Sequence, residues 1–351
     1  MNRDKIRVGI RGFGGLLGTR LVAALRRMPD MEITAGVMRK DSSLDRLLKY
    51  AGYSGLPSAS VFASHMFLDE PAEVVADVNA RNWMAQFAPL SELDLNQLCD
   101  VVIDAASPGR NHSLQDHYQK FKGHVIYQDG EYPRGWLIAP PLTAQSLGGN
   151  RYRQGGCFLS GVVPVLAALG QYLKSARINL VMQYDGRESD YMVAERVNCF
   201  RVADHYRPRM EEELRQLFPN IEIAVESVIQ IPSLVHYVVS LVLETEQLPP
   251  ITVQNMLDNI PHCRLMPILD THELNLARVT TDSIPPISIL FDTLQTKPGD
   301  KGMQVELKLA LYYRNLAVLP NIDAVRILAT GADPIDAMRQ TDRELGFSGR
   351  S

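Results

Sequence analysis

Arg11-Gly12-Phe13-Gly14-Gly15-Leu16-Leu17-Gly18 follows a β-branched, loosely alternating run over residues 5–10 and leads into a helical pattern over residues 19–27. Strand, glycine-rich turn and helix in this order form the opening of a βαβ unit. Glycines at the turn allow a sharp reversal and let a pyrophosphate approach the backbone amides at the helix start. Gly12 and Gly14 fit the first two glycines of the dinucleotide fingerprint, and Leu17 stands where the third belongs. Gly12, Gly15 and Gly18 match a related spacing with a glycine at every third residue. Gly12, Phe13, Gly14, Gly15, Leu16 and Gly18 are therefore candidate cofactor contacts.

The next strand, over residues 32–37, ends in Val37-Met38-Arg39-Lys40. An acidic residue at that place would hold the adenosine ribose of NAD. Two cations there suit a 2′-phosphate and favour NADP, with NAD as the alternative. Residues 44–51 read as a short helix, and residues 53–93 carry no clear pattern. Residues 100–106 form an apolar strand leading to Ser107-Pro108-Gly109. That turn lies at the carboxyl end of a parallel strand, where open α/β sheets bind their ligands. A helix is expected over residues 111–122, and a strand over 125–127 runs into Gln128-Asp129-Gly130-Glu131. His112, His117 and His124 read as surface histidines of that helix, since no carboxylate or cysteine completes a metal set.

The chain has 351 residues, which suggests two domains. A formal net charge of −4 gives no footing for a nucleic-acid partner. The four cysteines, Cys99, Cys157, Cys199 and Cys263, are too far apart for a closely spaced metal site or a disulfide framework. The first residues lack the apolar core of a signal peptide, and no run approaches the roughly 20 apolar residues of a membrane span. The expected compartment is the cytoplasm.

In the second half, Gly155-Gly156-Cys157 precedes an apolar run of helical length. A cysteine at a helix start meets the positive end of the dipole and unpaired amides, which favour a thiolate. Cys157 is thus a candidate covalent nucleophile. Strands are expected over residues 176–184, 221–231, 234–244 and 303–313, with a helix over 211–218. The pattern describes a mostly antiparallel sheet with a few helices. A thiolate nucleophile needs a base, and histidine is the commonest. His236 lies in an apolar strand, and His262 and His272 lie in more polar settings. Near the end, Pro320 is expected to break a strand and Asn321 to cap the following helix. A last helix starts at Asp333-Pro334 and ends at Gly346.

Several stretches, in order, resemble the archaeal-type (class II) glyceraldehyde-3-phosphate dehydrogenases. They are the glycine turn, Val102-Ile103-Asp104 and Tyr127-Gln128-Asp129-Gly130-Glu131. Cys157 with Ser160-Gly161 resembles the family's Cys-Asn-Thr-Thr-Gly motif. Ile231-Pro232-Ser233-Leu234-Val235-His236 and Leu319-Pro320-Asn321-Ile322-Asp323-Ala324-Val325-Arg326 resemble two further segments. The resemblance is more distant to aspartate-semialdehyde dehydrogenase and N-acetyl-glutamyl-phosphate reductase. It implies a Rossmann-type doubly wound parallel sheet, residues 1–156 with 319–351, and an α+β catalytic domain, residues 157–318. It implies attack by Cys157 on an aldehyde, His236 handling the proton, hydride transfer to NADP or NAD, and an acyl-thioester. In reverse, an acyl phosphate would be reduced. It also implies that Asn321 holds the nicotinamide carboxamide, that Gln128 belongs to the cofactor site, and that Ser160 and Gly161 contact substrate. The oligomer it implies is a homotetramer, or a homodimer through the second domain. Phe158 and Leu159 replace the polar residues after the nucleophile. The family's Arg-Arg pair is absent from the strand that follows, where Arg187, or a cation among Arg196, Arg201, Arg207 and Arg209, could substitute. These departures keep two other readings open: a Rossmann reductase without a covalent step, and a non-catalytic cofactor-binding paralogue.

Overall fold

The structure, a computed structural model, describes residues 5–39, 62–81, 85–106, 114–128, 135–143, 149–183, 200–231, 236–266, 286–300 and 302–347. The expected helix over residues 44–51 lies outside these. The chain divides into two compact units. The first comprises Met1–Ile138, Gln145–Gln154 and Val318–Leu345, and the second Ala139–Ala144, Gly155–Ala317 and Gly346–Ser351.

The first unit is built on a parallel sheet. The strands of the sheet are β1 (Ile6–Arg11), β2 (Met31–Met38), β3 (His65–Leu68), β4 (Phe87–Pro89), β5 (Val101–Asp104), β6 (His124–Tyr127), β7 (Trp136–Ala139), β8 (Leu142–Thr143) and β9 (Arg151–Gln154), of which the edge strand β8 falls within Ala139–Ala144 of the second unit. They lie in the order β4-β3-β2-β1-β5-β6-β9-β7-β8. β1 pairs in parallel with both β2 and β5, so the glycine turn leaves the middle of the sheet at its carboxyl edge. The central strands β2 and β5 are largely apolar runs, as a parallel sheet covered on both faces requires. Helices α1 (Leu16–Leu25), α2 (Ala72–Arg81), α3 (Leu95–Leu98) and α4 (Gln115–Lys120) connect them. One cluster on this sheet joins Ala35, Val37, Phe67, Cys99, Val102, Tyr118, Val125 and Tyr127. β3, α2 and β4 occupy the stretch whose sequence shows no clear pattern. His124 is not a helix surface residue: it opens β6, with its ring 5.9 Å from that of Tyr152.

The second unit is built on a mixed, mostly antiparallel sheet. Its strands are β10 (Leu173–Gln183), β11 (Arg201–Val202), β12 (Glu222–Ile231), β13 (His236–Thr245), β14 (Cys263–Met266), β15 (Ile287–Gly299) and β16 (Gly302–Tyr312), ordered β11-β12-β10-β13-β16-β15-β14. Two neighbouring pairs, β10 with β12 and β14 with β15, run parallel. Helices α5 (Cys157–Ala168), α6 (Arg207–Leu217), α7 (Pro250–Asp258) and α8 (Tyr313–Leu316) belong here. Residues 158–166 of α5 are all buried, which makes it the central helix of the unit.

The chain returns to the first unit through α9 (Leu319–Thr330) and α10 (Pro334–Leu345). Asn321 does not cap α9. The helix begins at Leu319 with Val318 in the cap position, and Pro320 sits in the first turn, where its missing N–H is harmless. Asn321 is thereby carried inside the helix and fully buried. Arg326 explains the polar ending of this segment. Its guanidinium donates to both Asp30 oxygens at 2.7 and 3.0 Å and also reaches Glu344 and Thr341. This staple ties α9 and α10 to the turn that precedes β2. Among the described residues no helix is long and apolar enough to cross a membrane.

Candidate active site

The glycine turn of the first unit is held by its backbone. The amides of Gly12 and Phe13 donate to the Val37 carbonyl at 3.0 and 3.1 Å, and the Gly15 amide to the Gly12 carbonyl at 2.8 Å. Gly12 has φ +78°, a conformation that costs a side chain (about 1–2 kcal/mol) and glycine nothing. A Cβ on Gly18 would stand 2.1 Å from the Gly12 oxygen, so turn and helix meet backbone to backbone. α1 starts after Gly15 without a side-chain cap and without an acidic residue in its first turn. Its first amides therefore lack an intrahelical acceptor and an internal anion. Glycine cradle, uncapped helix and carboxyl-edge position fit a dinucleotide pyrophosphate. The Phe13 side chain is fully buried and packs where a Cβ on Gly36 would be, 2.8 Å away, so it serves the core under the turn.

A buried ionic group lies beneath. Arg11, the last residue of β1, is 4% exposed. It reaches Asp104 at 3.3 Å and Asp69 at 3.7 Å, at the carboxyl ends of β5 and β3. The Tyr118 hydroxyl donates to Asp104 at 3.0 Å. Burial, reinforced by the Asp104 charge, holds the Tyr118 phenol well above its ordinary value, so it stays a donor. Sequence reading passed over Arg11. Its signal is a cation closing the strand directly before the glycine turn.

Gln128 and Asn321, 193 residues apart, form a reciprocal amide pair. Gln128 Nε2 donates to Asn321 Oδ1 at 2.8 Å, and Asn321 Nδ2 donates to Gln128 Oε1 at 3.2 Å. Arg39 follows β2 and is exposed. Lys40, Ser107, Pro108 and Gly109 lie outside the described residues.

In the second unit, Gly156 is extended (φ −62°, ψ 169°) and provides no side-chain cap, so α5 opens directly on Cys157. Cys157 is partly exposed, while Phe158, Leu159 and Ser160 behind it are buried. The Ser160 amide bonds to the Gly156 carbonyl at 3.0 Å, and its hydroxyl has no hydrogen-bond partner. Gly161 lies against β16, where a Cβ would come within 2.5 Å of Leu311. The backbone of His236 opens β13 opposite Tyr312. His262 is buried with φ +65° in a tight turn, and His272 lies outside the described residues. Arg207 and Arg209 face carboxylates of their own segment, Asp204 at 3.8 Å and Glu213 at 3.4 Å. Arg201 is exposed on the short strand β11, and Arg187 and Arg196 lie outside the described residues. Among the described residues no group of three histidine, cysteine or acidic side chains could hold a metal ion.

No protein-family model matches the chain. The chain is 24% identical over 361 aligned positions to glyceraldehyde-3-phosphate dehydrogenase of Thermococcus kodakarensis, covering 98% of this chain and 99% of the relative. It is 21% identical to the enzyme of the same name from Pyrococcus abyssi, with 98% and 99% covered. Among solved structures, aspartate semialdehyde dehydrogenase with NADP from Candida albicans superposes with a TM-score of 0.59. That match has 11% identity and covers 98% of this chain and 99% of the other. Over its full length, then, the chain is similar to the archaeal glyceraldehyde-3-phosphate dehydrogenases as a divergent relative, and it shares its fold with the aspartate semialdehyde dehydrogenases.

Proposed function

We propose that this chain is an NAD(P)-dependent oxidoreductase of the aldehyde group, working through a covalent cysteine adduct. The observation that carries this reading is Cys157 as the first residue of α5, uncapped and partly exposed, in a chain whose other unit presents an uncapped glycine turn. Residues 1–156 and 319–351 hold the dinucleotide, with NADP favoured over NAD because Arg39 and Lys40 follow β2. Residues 157–318 supply the chemistry.

The helix start favours the Cys157 thiolate, which attacks the carbonyl carbon and forms a C–S bond. His236 holds the proton at the new hemiacetal oxygen and removes it as the carbonyl re-forms. A nicotinamide cofactor held at the glycine turn would supply the acceptor for the hydride lost from the same carbon. Cys157 then carries an acyl group as a thioester, and attack by phosphate or another acceptor frees its sulfur. Run backwards, the same groups reduce an acyl phosphate. Ser160, Gly161 and a cation such as Arg187 line the substrate side. The active form is a homodimer through the second domain or a homotetramer, acting in the cytoplasm on a small soluble aldehyde.

The test is nicotinamide reduction across a panel of phosphorylated and unphosphorylated aldehydes, with Cys157→Ser as control. Aldehyde-dependent reduction that vanishes in the variant supports the proposal. Undiminished activity in the variant leaves a reductase without a covalent step. Nucleotide binding without turnover on any aldehyde leaves a non-catalytic relative.

A further inference from the structure

The two faces of the second unit's sheet differ. Residues opposite each other on neighbouring strands share a face. One row crosses the sheet as Val228, Leu180, Val239 and Leu309, on β12, β10, β13 and β16. Each is at most 1% exposed, and α5 packs on this side, with Gly161 against Leu311. One residue away on each strand, the row on the opposite face is Val202, Ile229, Val181, Val238 and Ala310, running from β11 to β16. Val202 is 60% exposed and Val238 39%, Ile229 and Val181 are half-buried, and Phe200, two residues before Val202, is 70% exposed. The next row on this same face is polar: Ser227, Asn179, Ser240 and Lys308. Ser227 Oγ donates to Asn179 Oδ1 at 2.6 Å, and Asn179 Nδ2 to Glu226 Oε2 at 2.8 Å. The chain thus places polar groups that satisfy one another beside a contiguous apolar row that is open to solvent. Single exposed apolar residues are ordinary, whereas a contiguous patch marks a contact surface.

We propose that this row is the contact through which two copies of the chain associate, sheet face on sheet face about a two-fold axis. It rests on the association given above and deepens it by naming the surface and its anchors, Val202, Ile229, Val181 and Val238. Charge selects the occupant. On the same face Arg177 pairs with Glu226 at 3.5 Å and Lys297 with Glu306 at 2.5 Å. Cations and carboxylates alternate there with neither sign dominant, so a polyanion or a strongly charged protein gains nothing by docking. A second copy turned about a two-fold axis lays the apolar row on its own counterpart. Area agrees with this choice. β12 and β13 have ten residues each and lie in one run with β11, β10 and β16. With strands about 4.8 Å apart and a rise of about 3.3 Å per residue, that run presents about 800 Å², the share each partner gives to a stable interface. Sheets packed face to face interdigitate their facing side chains, which a row of β-branched residues suits.

The test is the mass of the full chain in solution by analytical ultracentrifugation. Wild type should sediment as a dimer or as a pair of dimers. Val181→Lys combined with Val238→Lys should halve that mass, because each copy then buries unpaired ammonium groups against the other. Ile251→Lys, an equally apolar and exposed position (61%) on helix α7, should leave the mass unchanged. Circular dichroism and thermal melting report whether the double variant folds. If it does not, Val202→Lys decides: Val202 is mostly exposed on the edge strand, so its loss leaves the fold intact and should weaken association about tenfold or more. A wild-type assembly whose mass and dissociation constant are unchanged in these face variants overturns the surface assignment alone. A wild type that stays monomeric overturns the association itself and leaves the face to a partner of another kind. Neither result bears on the covalent chemistry, which is read separately from Cys157→Ser.

Discussion

Cys99 and Cys157 have the same thiol and opposite surroundings. Cys99 follows the four-residue helix α3 in the first unit, buried against β1, where a Cβ on Gly9 would lie 2.8 Å from its sulfur. Its sulfur lies 3.8 Å from the Thr34 hydroxyl. Burial pushes the Cys99 thiol up to about 12, so at neutral pH it is a small apolar residue with a weak donor. Cys157 opens a twelve-residue helix in the second unit and is partly exposed. The residue type says nothing about reactivity. Position on the helix and access to solvent decide it.

The comparison can be broken most forcefully at Cys157. Cys157→Ser should lower aldehyde-dependent turnover by about a thousandfold or more, because a serine hydroxyl there has no comparable acidity. Cys99→Ala should leave turnover unchanged and cost on the order of 1 kcal/mol of stability, read as a shift in denaturant midpoint. A turnover loss in Cys99→Ala would contradict the assignment of roles. Next in size is Gly18→Ala. Its Cβ would collide with the Gly12 carbonyl, forcing α1 away from the turn. We expect a loss of nucleotide affinity of about a hundredfold and destabilisation of about 2–3 kcal/mol. Unchanged affinity would show that the turn serves chain reversal only. Alkylation sharpens the contrast further. Iodoacetamide at pH 7.5 should label Cys157 within minutes while Cys99 stays protected until the protein unfolds, as read by peptide mapping.

The smallest expected effect is a pH dependence in the first unit. Burial, helped by the Arg151 charge, lowers the His124 pKa below its ordinary 6.5. The unfolded chain then binds the proton more readily than the folded one, so stability falls as pH drops from about 6.5 through the folded value. His124→Phe should flatten the slope of stability against pH in that window. An unchanged slope would assign the dependence to other groups.

Much of the fold is legible where local pattern and tertiary role agree. The glycine turn, the apolar strands on either side of it, and α5 with its leading glycines all carry their own periodicity. The strands β3 and β4 are short, four and three residues, and give no pattern to count. β15 is hidden for another reason: its outer half is polar and ends in Pro298-Gly299, which reads as loop. An asparagine after a proline looks like a cap, whereas Pro320 already sits inside the helix and carries Asn321 with it. The candidate site was only partly readable. Its residues come from segments far apart in the chain. The Gln128–Asn321 pair and the Arg11–Asp104 contact are consequences of tertiary packing, which no local pattern carries.

The most direct measurement is the intact mass of the protein mixed with an active aldehyde and NADP in the absence of phosphate or other acyl acceptor. The account predicts a mass increase equal to one acyl group, mapped to the peptide that contains Cys157 and absent in Cys157→Ser. Steady turnover by the wild type with no trapped adduct, and equal turnover by Cys157→Ser, would contradict it.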